Sequence, residues 1–370
     1  MHAKIQFYSI CVNLNMYFYS VKANTMRTVF LSTLSLLFLF SCTTKKSTSN
    51  TNTSAVEDPG AFVIAFGSCN DHLRPNLLWD DILNTKPDVW IWGGDNIYAD
   101  TDDIEKMRQM YREQNEIADY AKLIAEVPII GTWDDHDYGK NDAGIEYVSK
   151  AESQDAFLDF MGVPADSPRR NQEGIYTYHD YQAGGKKIRV ILLDTRYFRT
   201  ALTDGTEGAR YQPNADGEGE LLGETQWMWL GQALTNSGAD FHVIMSSIQF
   251  WSADHGWEKW ANFPHEVSRF KKLLSNTKPK GTILLSGDRH ISEFSGGRIE
   301  GLPYELIDFT SSGLTHAFRG YTGETNPTRI GEVVFTESFG LLVIHPFTGK
   351  VEFQMLGDNG EVLQEISRTY

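Results

Sequence analysis

The chain has 370 residues, and its 49 acidic and 33 basic side chains give a formal net charge of −16. Hydrophobic residues make up 41 % of the sequence and aromatic residues 12 %, which is enough for a large core and excludes a disordered or fibrous chain. The acidic balance excludes a general basic surface for nucleic acid. An anionic substrate would therefore need local attraction, from bound metal or a few arginines.

The N-terminal segment has the composition of an export signal. An apolar run at 29–41 follows Met26 and a basic residue, and it is too short to cross a membrane comfortably. The tetrad Leu39–Cys42 resembles a bacterial lipobox, in which the cysteine is lipidated after cleavage. We expect residues 1–42 to be a signal region, with Met26 as an alternative start. Cys42 would then anchor the protein to a bacterial membrane, on the periplasmic or cell-surface side. A plain signal peptide with an incidental cysteine is the alternative.

Cysteine usage excludes a disulfide framework. Cys11 lies upstream of the alternative start and Cys42 is the candidate for lipidation, so Cys69 is the thiol left for the mature body. Such a thiol is either buried and inert or held by a metal. Residues 43–59 are rich in Ser, Thr and Asn and predict a flexible tether. Residues 60–370 show no repeat or second linker, which indicates one domain.

The remaining chain alternates apolar, strand-like runs with helix-like segments. The runs are continuous in apolar residues, which predicts strands covered on both faces. We expect helices at 104–126, 153–161, 225–235 and 264–276. Together these segments predict an α/β fold with a central β layer and helices outside. The predicted strands, in chain order, are 62–66, 88–92, 127–130, 188–193, 241–245, 281–285, 304–310, 332–335, 341–344 and 351–355.

Five of these strands are followed directly by polar residues whose side chains can take part in catalysis or bind a metal. Because sites in α/β sheets form at the carboxyl ends of strands, we expect the five segments to converge at one edge of the β layer. The segments are Gly67–Asn70, Gly93–Tyr98, Trp133–Asp137, Asp194–Arg196 and Ser286–His290.

Three of the segments carry groups that bind cations. Asp95 follows two glycines, which permit a tight turn, and Tyr98 is three residues further on. Residues 134–137 place three carboxylates beside a histidine, an unfavourable arrangement without a cation. Asp288 and His290 are two residues apart, so an extended backbone directs both to one face. Taken singly, each has an ordinary alternative: a turn aspartate, an acidic surface loop, or a capping aspartate beside a core histidine.

In combination, the segments predict a mixed metal centre. Thiolate and phenolate ligands favour a softer or redox-capable ion such as iron, whereas carboxylates favour Ca, Mg or Mn. A thiolate ligand would also explain the lone Cys69.

Four motifs, in this order and spacing, resemble those of the PhoD-like alkaline phosphatase/phosphodiesterase family, within the calcineurin-like metallophosphoesterases. They are Phe66–Cys69, Gly94–Tyr98, Trp133–Asp137 and Gly287–His290. The resemblance implies a four-layer αββα sandwich of the metallophosphoesterase type. It also implies two metal ions, typically Fe(III) with Ca(II); Mn, Mg and Zn are alternatives.

The resemblance further implies a role for each residue of the motifs. His136 and Arg196 would be catalytic, with His136 near the scissile phosphate and Arg196 in contact with the phosphate. Asn96, Arg196 and His316 would bind substrate. The implied metal ligands are Cys69, Tyr98 and His290 for the iron, Asp95 as the bridge, and Asp135 and Asp288 for the second ion.

We therefore expect hydrolysis of phosphate monoesters or diesters by a metal-activated hydroxide, on a small-molecule, lipid or polymer substrate. The segments 197–224 and 251–263 would shape the pocket entrance. One alternative is a lipid-anchored, Ca-containing protein that binds an anion or sugar without catalysis, although such a site needs neither thiol nor imidazole. Another is a glycosidase with paired carboxylates, in which Trp251, Trp257 and Trp260 would stack on sugars.

Overall fold

The computed structural model describes residues 60–370. The predicted signal region with Cys11 and Cys42, and the predicted tether at 43–59, lie outside the described residues. Within the part of the chain that is described, no helix has the length and apolar character needed to cross a membrane.

The described chain alternates strands and helices over its first two thirds and is mainly strand thereafter. The helices are α1 Trp79–Asn84, α2 Ile104–Glu116, α3 Ala118–Glu126, α4 Asp135–Tyr138, α5 Lys150–Phe160, α6 Gly223–Leu234 and α7 Pro264–Thr277, with short 3₁₀ turns at Pro168–Asn171, Trp260–Asn262 and Asp358–Gly360. The strands are β1 Phe62–Gly67, β2 Val89–Gly93, β3 Ile129–Thr132, β4 Thr177–Ala183, β5 Lys186–Leu192, β6 Thr203–Asp204, β7 Tyr211–Gln212, β8 Phe241–Met245, β9 Thr282–Ser286, β10 Ser292–Arg298, β11 Glu305–Thr310, β12 Arg329–Val334, β13 Phe339–His345, β14 Lys350–Leu356 and β15 Val362–Thr369.

Most strands belong to two mixed sheets. The first sheet has the order β15-β14-β13-β1-β2-β3, and β1, β2 and β3 run parallel. The second has the order β12-β10-β11-β9-β8-β5-β4, and β5, β8, β9 and β11 run parallel. The short strands β6 and β7 pair with each other. The segments that follow the parallel strands of each sheet therefore all begin at the same edge, the one formed by the carboxyl ends of those strands.

The two sheets pack face to face, with helices on their outer faces. Phe66 of β1 meets Phe309 of β11 with ring centroids 4.8 Å apart, inside a core shared by both sheets. Trp79 of α1 packs edge-on against Trp90 on the outer face of the first sheet. Helices α6 and α7 cover the second sheet through residues such as Phe270. The four-layer αββα architecture implied by the resemblance is confirmed, and coverage on both faces explains the continuous apolar runs.

The structure also corrects the expectations drawn from the residues. The single β layer is two layers, because the parallel strands divide between two sheets. The helix expected at 104–126 is two helices, because Ile117 has an extended backbone (φ −60°, ψ 118°) that interrupts it. The predicted strands lie within a few residues of their expected positions. The elements that were not predicted are α1, α4, β4, β6, β7, β10 and β15.

Candidate metal centre

The residues predicted as metal ligands come from both sheets. Cys69, Asp95 and Asp135 follow β1, β2 and β3, while Asp288 and His290 follow β9. The structure brings them together in three overlapping groups whose nitrogen, oxygen or sulfur atoms lie within 4.8 Å of one another. These groups are Cys69, Asp95 and His290; Asp95, Asp135 and His136; and Asp134, Asp135 and Asp288.

Four of the grouped residues have a left-handed backbone. The φ angles are 58° at Cys69, 50° at Asp95, 69° at Asp288 and 54° at His290. This conformation costs about 1–3 kcal/mol for a residue other than glycine and clusters at functional sites. Gly94 lets the two loops approach closely, because a Cβ at this position would lie 2.6 Å from Cβ of Asp134.

One side of the site combines sulfur, phenol, imidazole and carboxylate. Sγ of Cys69 lies 3.4 Å from Oδ2 of Asp95. The Tyr98 hydroxyl lies 3.3 Å from that same oxygen and 3.3 Å from Nε2 of His290. Nδ1 of His290 donates to the backbone carbonyl of His316 at 2.9 Å. That bond fixes the tautomer, so the lone pair of Nε2 faces the other donors.

The other side of the site is built from carboxylates. Oδ2 of Asp135 accepts the backbone N–H of Asp142 at 2.6 Å. Oδ1 of Asp135 and Oδ2 of Asp134 are buried and have no hydrogen-bond partner among the described residues. Buried oxygens in this state are costly unless a donor or a cation meets them.

The pKa values of the buried acids also indicate a site that a positive charge would stabilise. Burial, followed by the nearby Cys69, raises the pKa of Asp95, and burial with neighbouring carboxylates raises the pKa of Asp288. Burial raises the pKa of the Cys69 thiol to about 11. Burial alone would lower the pKa of His136, but the Asp95 carboxylate helps to raise it to about 10. Bound cations would offset this accumulation of buried acids, so the residues present fit a metal centre.

Asp137 holds the two ligand loops of the first sheet together. Its carboxylate accepts the backbone N–H of Asp95 at 3.2 Å and that of Asp134 at 2.7 Å. It also accepts Nδ2 of Asn96 at 2.6 Å, and the same amide donates to the carbonyl of Thr132. Asn96 is fully buried. Its position supports the loops and does not fit the expectation that it binds substrate.

Arg196 lies beneath the site and outside the cavity wall. Its guanidinium is fully buried and forms ion pairs with Asp134 at 2.5 Å and Glu258 at 2.6 Å. Glu258 in turn lies 3.1 Å from Arg199. Both carboxylates already occupy this guanidinium, so the position does not fit the expectation of direct contact with phosphate. It fits a residue that holds Asp134 and the 251–263 segment in place.

A cavity of about 450 Å³ opens over the candidate ligands. His136 and His316 lie in its wall. Their contact with substrate stays a prediction. Three arginines in the wall were not predicted: Arg74, Arg210 and Arg289. Arg289 lies inside the Gly287–His290 motif and Arg210 inside the 197–224 segment, so the sequence could have pointed to both as cavity residues. No sequence feature pointed to Arg74.

His136 is oriented by a neighbouring carboxylate. Its Nδ1 lies 2.7 Å from Oδ2 of Asp100, and its ring is 4.2 Å from that of Tyr98. The bond to Asp100 leaves Nε2 as the nitrogen available to a substrate. The backbone N–H of His136 donates to Oδ1 of Asp95 at 3.3 Å, which links this residue to the candidate ligands.

Comparison with solved structures identifies the fold. The protein is similar to PhoD, with a TM-score of 0.66 and 19 % identity over 84 % of this chain and 69 % of that one. It is also similar to a dimetal phosphatase from Danio rerio (TM-score 0.52, 13 % identity, 85 % of this chain and 100 % of that one). A third similar structure is GAP50 of Plasmodium (TM-score 0.55, 13 % identity, 84 % and 89 %). The fold is therefore that of metallophosphoesterases.

Residues 64–296 match the family model described as PhoD-like phosphatase. The chain belongs to the PhoD-like phosphatase family, as its motifs indicated. Alkaline phosphatase D of Bacillus subtilis is 24 % identical over 319 residues, covering 70 % of this chain. The chain spans about half the length (53 %) of that curated relative.

Proposed function

We propose that this protein hydrolyses phosphate esters at a two-metal site on the floor of the cavity. The observation that supports the proposal is the meeting of sulfur, imidazole and carboxylate donors from both sheets within 4.8 Å of one another. The Tyr98 hydroxyl lies 3.3 Å from both Asp95 and His290. Membership of the PhoD-like phosphatase family agrees with it. A calcium site in a binding protein would need neither the thiol nor the imidazole.

The candidate ligands would divide between two ions, with Asp95 available to both. Cys69, Tyr98 and His290 would hold one ion, and Asp135 and Asp288 the other. The first set suits Fe(III) and the second Ca(II), with Mn, Mg or Zn as alternatives. When bound, such ions lower the pKa of water toward neutrality and offset the negative charge of a phosphoryl group.

The protein's own residues orient the substrate and move the proton. His136, held through Nδ1 by Asp100, presents Nε2 to the cavity, where it donates a proton to the leaving oxygen or a hydrogen bond to the phosphoryl group. His316, whose ring lies 4.9 Å from that of Tyr98, would contact the substrate from the cavity wall. Below the cavity, Arg196 holds Asp134 and the 251–263 segment in place through its two ion pairs.

We further propose that the protein is exported and anchored to a bacterial membrane through a lipid on Cys42, with residues 43–59 as the tether. The lipobox-like tetrad supports this proposal. Metabolic labelling with a radioactive fatty acid tests it: wild type should incorporate label and Cys42→Ser should not. Equal labelling of both proteins would contradict the assignment.

Metal analysis and a substrate panel test the enzymatic proposal. The purified protein should contain two metal ions and hydrolyse phosphate monoesters, diesters or both. It should lose activity on chelation and regain it when metal is returned. An iron site with Tyr98 as ligand should also be coloured by phenolate-to-iron charge transfer, and Tyr98→Phe should lose the colour. Metal-loaded protein without turnover on any ester of the panel would reject the proposal and favour the binding protein.

A further inference from the structure

Two exposed aromatic rings stand at the mouth of the cavity. Trp257 is 45 % exposed and Phe318 is 53 % exposed, and both line the cavity above the candidate ligands. By contrast, Trp260 of the same 251–263 segment is buried in the core. Folding favours the burial of apolar surface, so exposed rings at a concave mouth are a mark of a binding surface.

The two rings flank the turn that carries Asp288 and His290. The guanidinium carbon of Arg289 lies 5.7 Å from the ring centroid of Trp257. On the other side, the backbone N–H of Phe318 donates to the carbonyl of His290 at 2.7 Å. The Trp257 ring thus packs beside the residue that lies between Asp288 and His290, and the backbone of Phe318 is bonded directly to His290. A phosphoryl group held at that centre would place its leaving group beside the rings.

The backbone on both sides of Trp257 is fixed by buried groups. Its N–H donates to Nδ1 of His255 at 3.2 Å, and its carbonyl accepts Nζ of the buried Lys259 at 3.0 Å. The next residue, Glu258, is held by the ion pair with Arg196 at 2.6 Å. A ring presented from a fixed backbone loses little conformational entropy on binding, which is the property of a preorganised subsite.

We propose that Trp257 and Phe318 form an aromatic subsite that takes a flat aromatic ring, aryl or nucleobase, on the leaving group of the phosphate ester. The proposal rests on the proposed hydrolysis and adds a preference among substrates. Arg289 occupies space beside the indole, so it supports one side of the ring while a flat group stacks at the mouth. Stacking favours planar rings, whereas plain hydrophobic contact would accept saturated rings of the same size.

Two pairs of esters test the subsite: benzyl and cyclohexylmethyl phosphate, as monoesters and as methyl diesters. Both leaving groups are alkoxides of similar size, and one of them is flat. Wild type should have a higher kcat/KM for the benzyl ester. Trp257→Ala should lower the benzyl-to-cyclohexylmethyl ratio by about tenfold, the order of magnitude that one stacked ring contributes. Trp257→Phe should retain most of the ratio. Phe347→Ala, which removes an exposed ring at the far edge of the sheets, should keep the wild-type ratio.

An unchanged ratio in Trp257→Ala, or equal rates on both esters in wild type, would overturn the subsite while leaving the hydrolase proposal in place. If wild type hydrolyses none of the esters, the hydrolase proposal fails, and calorimetry with benzylphosphonate and cyclohexylmethylphosphonate decides on the subsite. Tighter binding of benzylphosphonate that is lost in Trp257→Ala would support it. Equal affinities would overturn it.

Discussion

The two edges of the sandwich each carry a cavity, and they differ in how their charges are compensated. At the amino edge, a cavity of about 360 Å³ is lined by Lys186, Lys280 and Asp240. Both lysines lie 3.5 Å from the Asp240 carboxylate, and all three side chains are partly or largely exposed to water. At the carboxyl edge, Asp95, Asp135 and their neighbours are buried, and some of their oxygens have no partner among the described residues.

Backbone strain alone does not distinguish the two edges. Lys278 at the amino edge also has a left-handed backbone (φ 47°), but it caps helix α7, where this conformation is common. At the carboxyl edge, strained residues such as Cys69 and Asp288 carry buried donors that converge. The comparison shows that strain together with uncompensated buried acids marks the candidate metal centre.

The largest effect should come from neutralising the carboxylate that both candidate ions share. Asp95→Asn should lower kcat/KM for phosphate esters by about 10³-fold or more, since residues that act as one catalytic unit are lost together. Its metal content by elemental analysis should also fall. Asp240→Asn makes the same change at the amino edge and should keep wild-type activity and metal. An Asp95→Asn protein with full activity would contradict the assignment of the site.

A smaller loss should follow removal of the imidazole without removal of the metal. His136→Gln should keep its metal and lose about 10²–10⁴-fold in kcat, the usual contribution of general acid–base catalysis. Asp100→Asn should lose less, about tenfold, because Asp100 only orients the ring.

The matched control is His242→Gln, which changes a buried histidine on β8 near the amino edge. It should alter thermal unfolding and leave kcat unchanged. Loss of metal from His136→Gln would show that this histidine is itself a ligand, contrary to the proposed division of roles.

Metal removal should destabilise the protein through the carboxyl edge. A ligand at 100 times its Kd stabilises the folded state by about 2.7 kcal/mol, which corresponds to a fall in Tm of roughly 5 °C on chelation. Asp288→Asn should show a smaller fall, because it binds metal less well and carries one buried charge fewer. Asp240→Asn should respond as wild type does. Calorimetry with and without chelator measures all three, and identical responses would place the metal elsewhere.

The sequence predicted the strands that are covered on both faces well and missed two of the four edge strands, for a physical reason. Residues 241–245 were predicted and observed as a strand because both faces are buried, so every position except His242 is apolar. Strands β4 and β15 lie at the ends of their sheets and alternate between exposed and half-buried positions with many polar residues. Strand β10 is buried in part but contains serine and two glycines, which favour strands weakly.

The motifs predicted which residues come together, but they did not predict which side chains line the cavity and which are buried beneath it. Cys69, Asp95 and His290 were predicted from donor type and from their place after strands, and the structure brings them together. Asn96 and Arg196 stand beside the same motifs, yet both are fully buried in the support beneath the cavity. Adjacency in sequence does not say whether a side chain points into a cavity or under it, because that depends on packing between the two sheets.

The smallest predicted effect concerns Lys259, the buried lysine that holds the backbone of Trp257. Burial, followed by the positive charge of Arg289, lowers its pKa to about 8. The ordinary value of about 10.4 applies to the unfolded chain. Between pH 8 and about 10.4 the unfolded chain therefore binds a proton that the folded chain does not, so this group's contribution to stability rises with pH.

Urea unfolding of wild type and Lys259→Met should show a difference in the free energy of unfolding that grows in favour of wild type across this window. Lys280→Met, at the amino edge, should follow wild type at every pH. A Lys259→Met difference that is flat with pH would mean that the lysine stays charged in the folded protein, and the loop carrying Trp257 would then be more open to water than its hydrogen bonds indicate.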